Sequence, residues 1–274
     1  MTPMAHADAV TPLRQDTDIR ALWNRLRLEA ASVAAEEPML AGLANAGILR
    51  HASFAEALAH RIALKLADGQ LDAMLIHDVV SEAMSADETI VGSAAADMLA
   101  VDERDPACRS LLQPFFYFKG YQALQAYRIA HWLWTQGRET LAFHLQGRVS
   151  ELFGVDIHPG ARIGKGIMID HASSVVIGET AVVGDDVSIL HEVTLGGTGA
   201  EESDRHPKIG QGVLIGAGAK VLGNISVGDH ARIAAGSVVL SDVPARCTVA
   251  GVPAKPVGGC CAEPARTMDH SLPD

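Results

Sequence analysis

Beyond Phe153 the sequence has no aromatic residue: all twelve Phe, Trp and Tyr side chains lie at or before that position, and the remaining 121 residues contain none. The core of the second half must therefore be built from small and β-branched side chains, packed by other rules than an aromatic core. Cysteine is scarce too. Cys108, Cys247, Cys260 and Cys261 form neither a zinc-ligand spacing nor a Cys-x-x-Cys pair, which excludes a disulfide scaffold, gives no metal site and leaves reduced bystander thiols. Nowhere do about 18 apolar residues run together, and the first twenty residues carry Asp8, Asp16 and Asp18 but no apolar stretch of signal-peptide length. A soluble, cytoplasmic protein with no membrane partner is expected. Basic residues number 22 against 33 acidic, a formal charge of -11, which opposes attraction to polyphosphate and excludes nucleic acid as a general partner.

What is present is a change of composition inside 274 residues, a length that suits two ordinary domains. Glycine reverses the aromatic trend, with seven before position 154 and nineteen after. The boundary falls near Phe153-Gly154. Before it, Ile19, Leu22, Trp23, Leu26 and Val33 recur at three- and four-residue steps up to Pro38, and Ser53-Phe54-Ala55-Glu56 and Ser85-Ala86-Asp87-Glu88 have the form that starts helices. Pro114 to Gly137 reads as one further helix with an aromatic stripe.

After the boundary the period is six. Every sixth residue from Ile157 gives Ile157, Ile163, Ile169, Val175, Ala181, Val187 and Val193; resuming at Ile209 gives Ile209, Ile215, Val221, Val227, Ile233 and Val239, all thirteen aliphatic. This is the pattern of a hexapeptide-repeat parallel β-helix. The two runs are sixteen residues apart rather than a multiple of six, so a loop of roughly Gly196 to Pro207 protrudes between coils. The expected class is α+β: a flexible N-terminus over 1–17, a helical domain over 18–153, the β-helix over 154–258 and a flexible tail over 259–274.

No serine or cysteine sits in a recognisable nucleophile frame, so general-base catalysis by a histidine is the economical mechanism for any acyl transfer here. The candidates are Asp156 and His158 in the first coil, Asp170-His171, and Arg205-His206 in the loop. A coil of eighteen residues would stack Ser174 over Asp156 about 4.8 Å away, bringing that carboxylate within reach of His171.

The runs Asp156-Ile157-His158-Pro159, Gly166-Ile167-Met168-Ile169-Asp170-His171, Val193 to Gly199, Asp204-Arg205-His206-Pro207-Lys208-Ile209 and Ala250 to Lys255, with Asp105-Pro106-Ala107 and Ala123 to Trp134 in the helical half, resemble bacterial serine O-acetyltransferase over roughly residues 18 to 258. The resemblance implies a left-handed β-helix, assembly as a homotrimer through that domain, and pairing of trimers through the helical domains. It implies transfer of acetyl from acetyl-CoA, a co-substrate with no tightly bound cofactor beside it, to the hydroxyl of L-serine in the first step of cysteine biosynthesis. His171 would be the general base and Asp156 its orienting partner. Asp105 and Asp170 would hold the serine ammonium, Arg205 its carboxylate, with His206 beside the substrate. Gly197, Ala217, Arg232 and Lys255 match the positions that meet CoA. L-cysteine is implied as a feedback inhibitor in the serine pocket. The chain ends Ser271-Leu272-Pro273-Asp274 where family members that dock onto O-acetylserine sulfhydrylase carry a terminal isoleucine, so that complex is not expected. The Asp105 and Arg205 pairings argue against a sugar acyltransferase, the absence of a His-x4-His spacing argues against a zinc carbonic anhydrase, and a non-catalytic scaffold would leave the Asp-His pair unexplained.

Overall fold

Helices in the first half begin and end where local chemistry directs. The computed structural model describes residues 15–199, 203–259 and 262–272. The expectations for residues 1–14, for Cys260 and Cys261, and for the terminal Pro273-Asp274 concern positions outside the described residues. Helix α1 (Gln15–Glu36) stops ahead of Pro38, and short turns through α2 (Ala41–Ala44) lead to α3 (Phe54–Leu66). Ser53 caps α3 as its spacing requires: its Oγ accepts from the Glu56 N–H at 3.2 Å, and Glu56 accepts in turn from the Ala52 N–H at 2.9 Å.

The second expected cap is not used. Ser85 lies within α4 (Ala73–Ala86), and α5 (Thr89–Arg104) begins after Asp87, whose Oδ1 accepts from the Thr89 N–H at 2.9 Å. The segment from Pro114 to Gly137 is likewise two helices, α6 (Leu112–Phe116) and α7 (Lys119–Thr135), because the Tyr117 and Phe118 N–H groups both turn back to the Gln113 carbonyl and end the first. Helix α8 (Glu139–Phe153) then delivers the chain to β1 (Val155–Ile157).

From β1 the chain winds as a three-faced prism of parallel strands. Face A stacks β1, β4 (Val175–Ile177), β7 (Thr194–Gly196), β10 (Lys220–Leu222) and β13 (Val238–Val239). Face B stacks β2 (Arg162–Ile163), β5 (Val182–Val183), β8 (Lys208–Ile209) and β11 (Ser226–Val227). Face C stacks β3 (Met168–Ile169), β6 (Ser188–Ile189), β9 (Leu214–Ile215), β12 (Arg232–Ile233) and β14 (Cys247–Gly251), with β15 (Ala254–Gly259) antiparallel at its end. The hexapeptide β-helix read from the sequence is the fold.

The register differs from a uniform eighteen. Val155 pairs with Val175, twenty residues on; Val176 pairs with Thr194, eighteen on; Thr194 pairs with Lys220, twenty-six on. The twenty-six accommodates the protruding loop. The twenty is a correction: two extra residues lie between Asp170 and Ser174, so Val176, not Ser174, is stacked on Asp156. Counting by six missed this because two positions in each repeat point inward. Val155 and Ile157 are both buried, as are Val175 and Ile177, so the count passed from one inward column to its neighbour without meeting a polar residue.

Helices α5 and α7 fasten the helical half to the first coil. Gly120 on α7 lies so close to β3 that a Cβ there would come within 2.0 Å of the Ile169 carbonyl oxygen. Asp97 of α5, fully buried, accepts from Arg128 Nη2 at 2.7 Å, Gln125 Nε2 at 3.1 Å and the Ile167 N–H at 2.9 Å. Burial pushes the Asp97 carboxyl up, and Arg128 with these donors pulls it back toward the charged form. Arg128 also donates to the Gly164 carbonyl at 2.7 Å, and the Tyr127 hydroxyl to the Ala161 carbonyl at 2.5 Å.

The segment expected as a flexible tail touches the prism within its described part. Helix α9 (Pro264–Thr267) buries Ala265 on face C, where the Ala265 carbonyl accepts from Ser188 Oγ at 2.8 Å, and Arg266 Nε donates to Glu103 Oε1 at 2.6 Å. Ala265 and Arg266 contribute to docking it, contacts with no local sequence period.

Candidate active site

The site residues expected from the sequence fall along the edges of the prism, and the edges are not alike. His171 stands on the C-to-A edge, within the two-residue enlargement of the first coil. Its side chain is 73% exposed, outside the prism, with Nε2 3.7 Å from Asp170 Oδ2 and its ring 5.7 Å from that of His191 one coil on. Ala217 belongs to this same edge, two coils above His171, since the Gly218 N–H donates to the His191 carbonyl at 2.9 Å.

Asp156 lies on face A in β1, where its Oδ1 accepts from Gln146 Nε2 of α8 at 2.6 Å. Among the described residues of one protomer the carboxylate that pairs with the His171 ring is that of Asp170. Asp105 closes the end of α5, its Oδ1 accepting from the Ala107 N–H at 2.8 Å. The neighbouring Arg104 donates to Ser188 and Asp186, both at 3.2 Å, so Asp105 sits over the face C side.

Arg205 and His206 stand on the A-to-B edge. His206 lies over Thr180, twenty-six residues earlier, with Nδ1 2.9 Å from Thr180 Oγ1; the Arg205 and His206 N–H groups both donate to that hydroxyl, at 3.0 and 3.1 Å. Gly178 makes room for the ring, since a Cβ there would meet His206 Nε2 at 2.0 Å. Burial lowers the His206 pKa, and the charge of Arg205 lowers it further, so a neutral imidazole is favoured near pH 7. Arg205 Nη2 donates to Glu179 Oε2 at 2.6 Å. Glu179 and Thr180 were not singled out from the sequence. The register was the available signal, because both stand one coil below the loop.

His158, on the same edge, packs between Trp134 and Phe143 with ring centroids 5.1 and 5.4 Å away, and burial lowers its pKa. It is a packed histidine rather than a presented one.

The four positions matched to CoA do not form one group. Gly197 begins the loop beside Arg205, and a Cβ there would be 3.5 Å from the Arg205 carbonyl oxygen. Lys255 is exposed on β15. Arg232 is buried, with Nε donating to Thr248 Oγ1 at 3.2 Å and Nη1 to the Asp269 carbonyl at 2.9 Å, so its guanidinium is engaged by the C-terminal segment in this protomer. Among the described residues no group of three or more His, Cys, Asp or Glu could hold a metal ion, and no helix is long and apolar enough to cross a membrane.

The family described as "Serine acetyltransferase, N-terminal" matches residues 22–126, and "Bacterial transferase hexapeptide (six repeats)" matches 206–241. The serine acetyltransferase of Escherichia coli K12 is 54% identical over 241 residues, 88% of each chain. Three solved structures are also similar. A serine acetyltransferase in complex with cysteine has 48% identity and TM-score 0.91, covering 92% of this chain and 99% of that one. The Neisseria gonorrhoeae enzyme in complex with serine has 52% identity and TM-score 0.84, covering 86% and 97%. The Brucella abortus enzyme in complex with coenzyme A has 48% identity and TM-score 0.86, covering 88% and 96%. With 54% identity over 88% of its length, and with a helical domain set on a hexapeptide prism, the chain belongs to the serine acetyltransferase family.

Proposed function

We propose that this enzyme transfers the acetyl group of acetyl-CoA to the hydroxyl of L-serine with His171 as general base. The imidazole takes the hydroxyl proton as the serine oxygen attacks the thioester carbonyl. The tetrahedral adduct then expels the CoA sulfur, which recovers the proton from the imidazolium. The products are O-acetyl-L-serine and CoA, which serves the first step of cysteine biosynthesis from serine. The observation that carries this reading is the presentation of the His171 ring, 73% exposed at an enlarged corner with Asp170 at 3.7 Å, where His191 of the same edge is only partly exposed and His206 of the loop is buried. Relatives bound to serine and to coenzyme A supply the two substrates.

Asp156 is assigned to orient the ring, with Asp170 and Asp105 for the ammonium, Arg205 for the carboxylate and His206 beside it. Arginine suits the carboxylate because its planar fork matches two oxygens. His171 and Arg205 occupy opposite edges of face A, separated by the run from Ser174 to Gly178, about 13 Å of extended chain. One serine cannot span that. A second copy of the chain must therefore bring its A-to-B edge to this protomer's C-to-A edge, which is the role of the homotrimer, and pairing of trimers through the helical domains makes the hexamer. Acetyl-CoA is assigned to the edge that contains Ala217, with Gly197 brought alongside on the second copy's A-to-B edge, and with Lys255 of β15. L-Cysteine carries the same ammonium and carboxylate, and occupies the serine position as a feedback inhibitor.

Thiol release from acetyl-CoA, with and without L-serine, tests this. The parent is expected to release CoA in a serine-dependent way, and His171→Ala to lose at least about 100-fold, since positioned proton transfer contributes roughly 10²- to 10⁴-fold. Undiminished activity in the variant would remove His171 from the reaction.

A further inference from the structure

The corner that presents His171 is an irregularity in an otherwise repetitive edge. In later coils two residues separate the end of the face C strand from the left-handed residue that turns the chain onto face A: Leu190-His191 before Glu192 (φ 59°), Gly216-Ala217 before Gly218 (φ 73°), Ala234-Ala235 before Gly236 (φ 69°). In the first coil four residues, Asp170, His171, Ala172 and Ser173, separate the strand end from Ser174 (φ 59°). His171 and Ala172 are themselves left-handed, at φ 55° and 60°, so three of four consecutive non-glycine residues adopt a conformation that strains L side chains. Such a corner holds its shape only where neighbours over-determine it.

Two neighbours do so. From the next coil, the Glu192 N–H donates to the Ser173 carbonyl at 2.7 Å. From the helical domain, Lys119, the first residue of α7, places Nζ 2.5 Å from Ser173 Oγ. The base of Lys119 is fixed in its turn, because Gly120 lies directly on the Ile169 carbonyl and α7 is fastened to the first coil by Arg128 and Tyr127. The ammonium therefore spans from a rigid helix end to the one side chain that projects from the enlargement toward it. The His171 ring, mostly in solvent, meets only Asp170 at 3.7 Å and the His191 ring at 5.7 Å among the described residues.

We infer that Lys119 is a positioning residue for the reaction: through Ser173 it fixes the enlarged corner, and so the place from which the His171 imidazole reaches the substrate hydroxyl. The inference rests on the reading of His171 as the base and adds a residue to it. It makes no claim that Lys119 touches substrate.

The test is a double-mutant cycle on the full-length oligomeric enzyme, with kcat, the serine KM and thermal unfolding measured for each variant. Lys119→Met keeps the aliphatic stem; Ser173→Ala removes an exposed hydroxyl and is expected to fold in any event. Each should lower kcat about 10-fold while the serine KM stays within about twofold, since displacing a catalytic group by a fraction of an ångström costs rate and not ground-state binding. The double variant should lose no more than either single, and Lys119→Arg, which keeps a donor, should recover to within about threefold of the parent. Undiminished kcat in both single variants, losses that multiply in the double, or a rise in serine KM matching the fall in activity would overturn the inference. Should Lys119→Met fail to fold, Ser173→Ala decides alone. The parallel His171→Ala variant separates the two claims. Loss there with none at Lys119 or Ser173 rejects the positioning role and leaves the base in place; activity there rejects the base itself.

Discussion

The two halves of this molecule obtain a unique structure by different means. In the helical half each large side chain has its own socket: Phe54, Phe115, Leu26, Met98 and Leu111 are fully buried, and caps such as Ser53 set where helices begin. In the prism no large socket exists, and each residue's surroundings are fixed by the residue one coil away, as Ile189 is by Ile169 below and Ile215 above. A repetitive scaffold of this kind makes its exceptions conspicuous. The coils that depart from eighteen residues toward greater length, by two and by eight, are those that carry His171 and Arg205-His206. Regular coils provide stiffness, and the departures carry the residues proposed for the chemistry.

The largest expected effect lies at the junction between the halves. Asp97→Ala strands the buried Arg128 guanidinium, and loss of one partner of a buried pair costs about 3–5 kcal/mol. Chemical unfolding should show this as one cooperative loss; an effect confined to the helical half would mean that the two regions are not coupled there. Within the helical half, Phe115→Ala should cost about 3–5 kcal/mol, because its cavity is wide and its neighbours are held by their own helices. Within the prism, Ile189→Val should cost only about 0.5–1.5 kcal/mol, the loss of one methylene in a column. Equal costs at the two sites would erase the contrast between socket and column.

The smallest effect concerns pH. The folded pKa values of His158 and His206 lie below the ordinary 6.5, chiefly through burial, so the unfolded chain binds protons more readily. Their contribution to stability is full above about pH 6.5 and is lost as pH falls through the window below it. Thermal unfolding followed from about pH 7.5 to 5.5 should show the parent weakening, and His206→Gln should show a shallower slope. An identical slope would mean that the A-to-B edge is indifferent to protonation of His206.

Much of this was legible in the chain. The absence of aromatics past Phe153 and the thirteen aliphatics at six-residue spacing mark the prism, because a triangular coil needs small inward side chains at every turn. Ser53 announced α3 since a capping box is a contact across three residues. Ser85 misled because Asp87, two residues on, offered the Thr89 N–H a better acceptor. The two-residue enlargement beside His171 left no trace in the aliphatic count, since an insertion of two moves a strand from one inward position to the next.

Sequence by itself determined the repeat, the place where helices give way to coils, and the residue types able to perform an acyl transfer, all of which depend on contacts a few residues apart. Tertiary structure alone decided that His171 and Arg205 stand on different edges, that Lys119 reaches Ser173 from 54 residues away, and that Arg232 is engaged by Asp269. These depend on how many residues each coil consumes and on which helix end meets which corner, and such long-range distances are set by packing rather than by any local period.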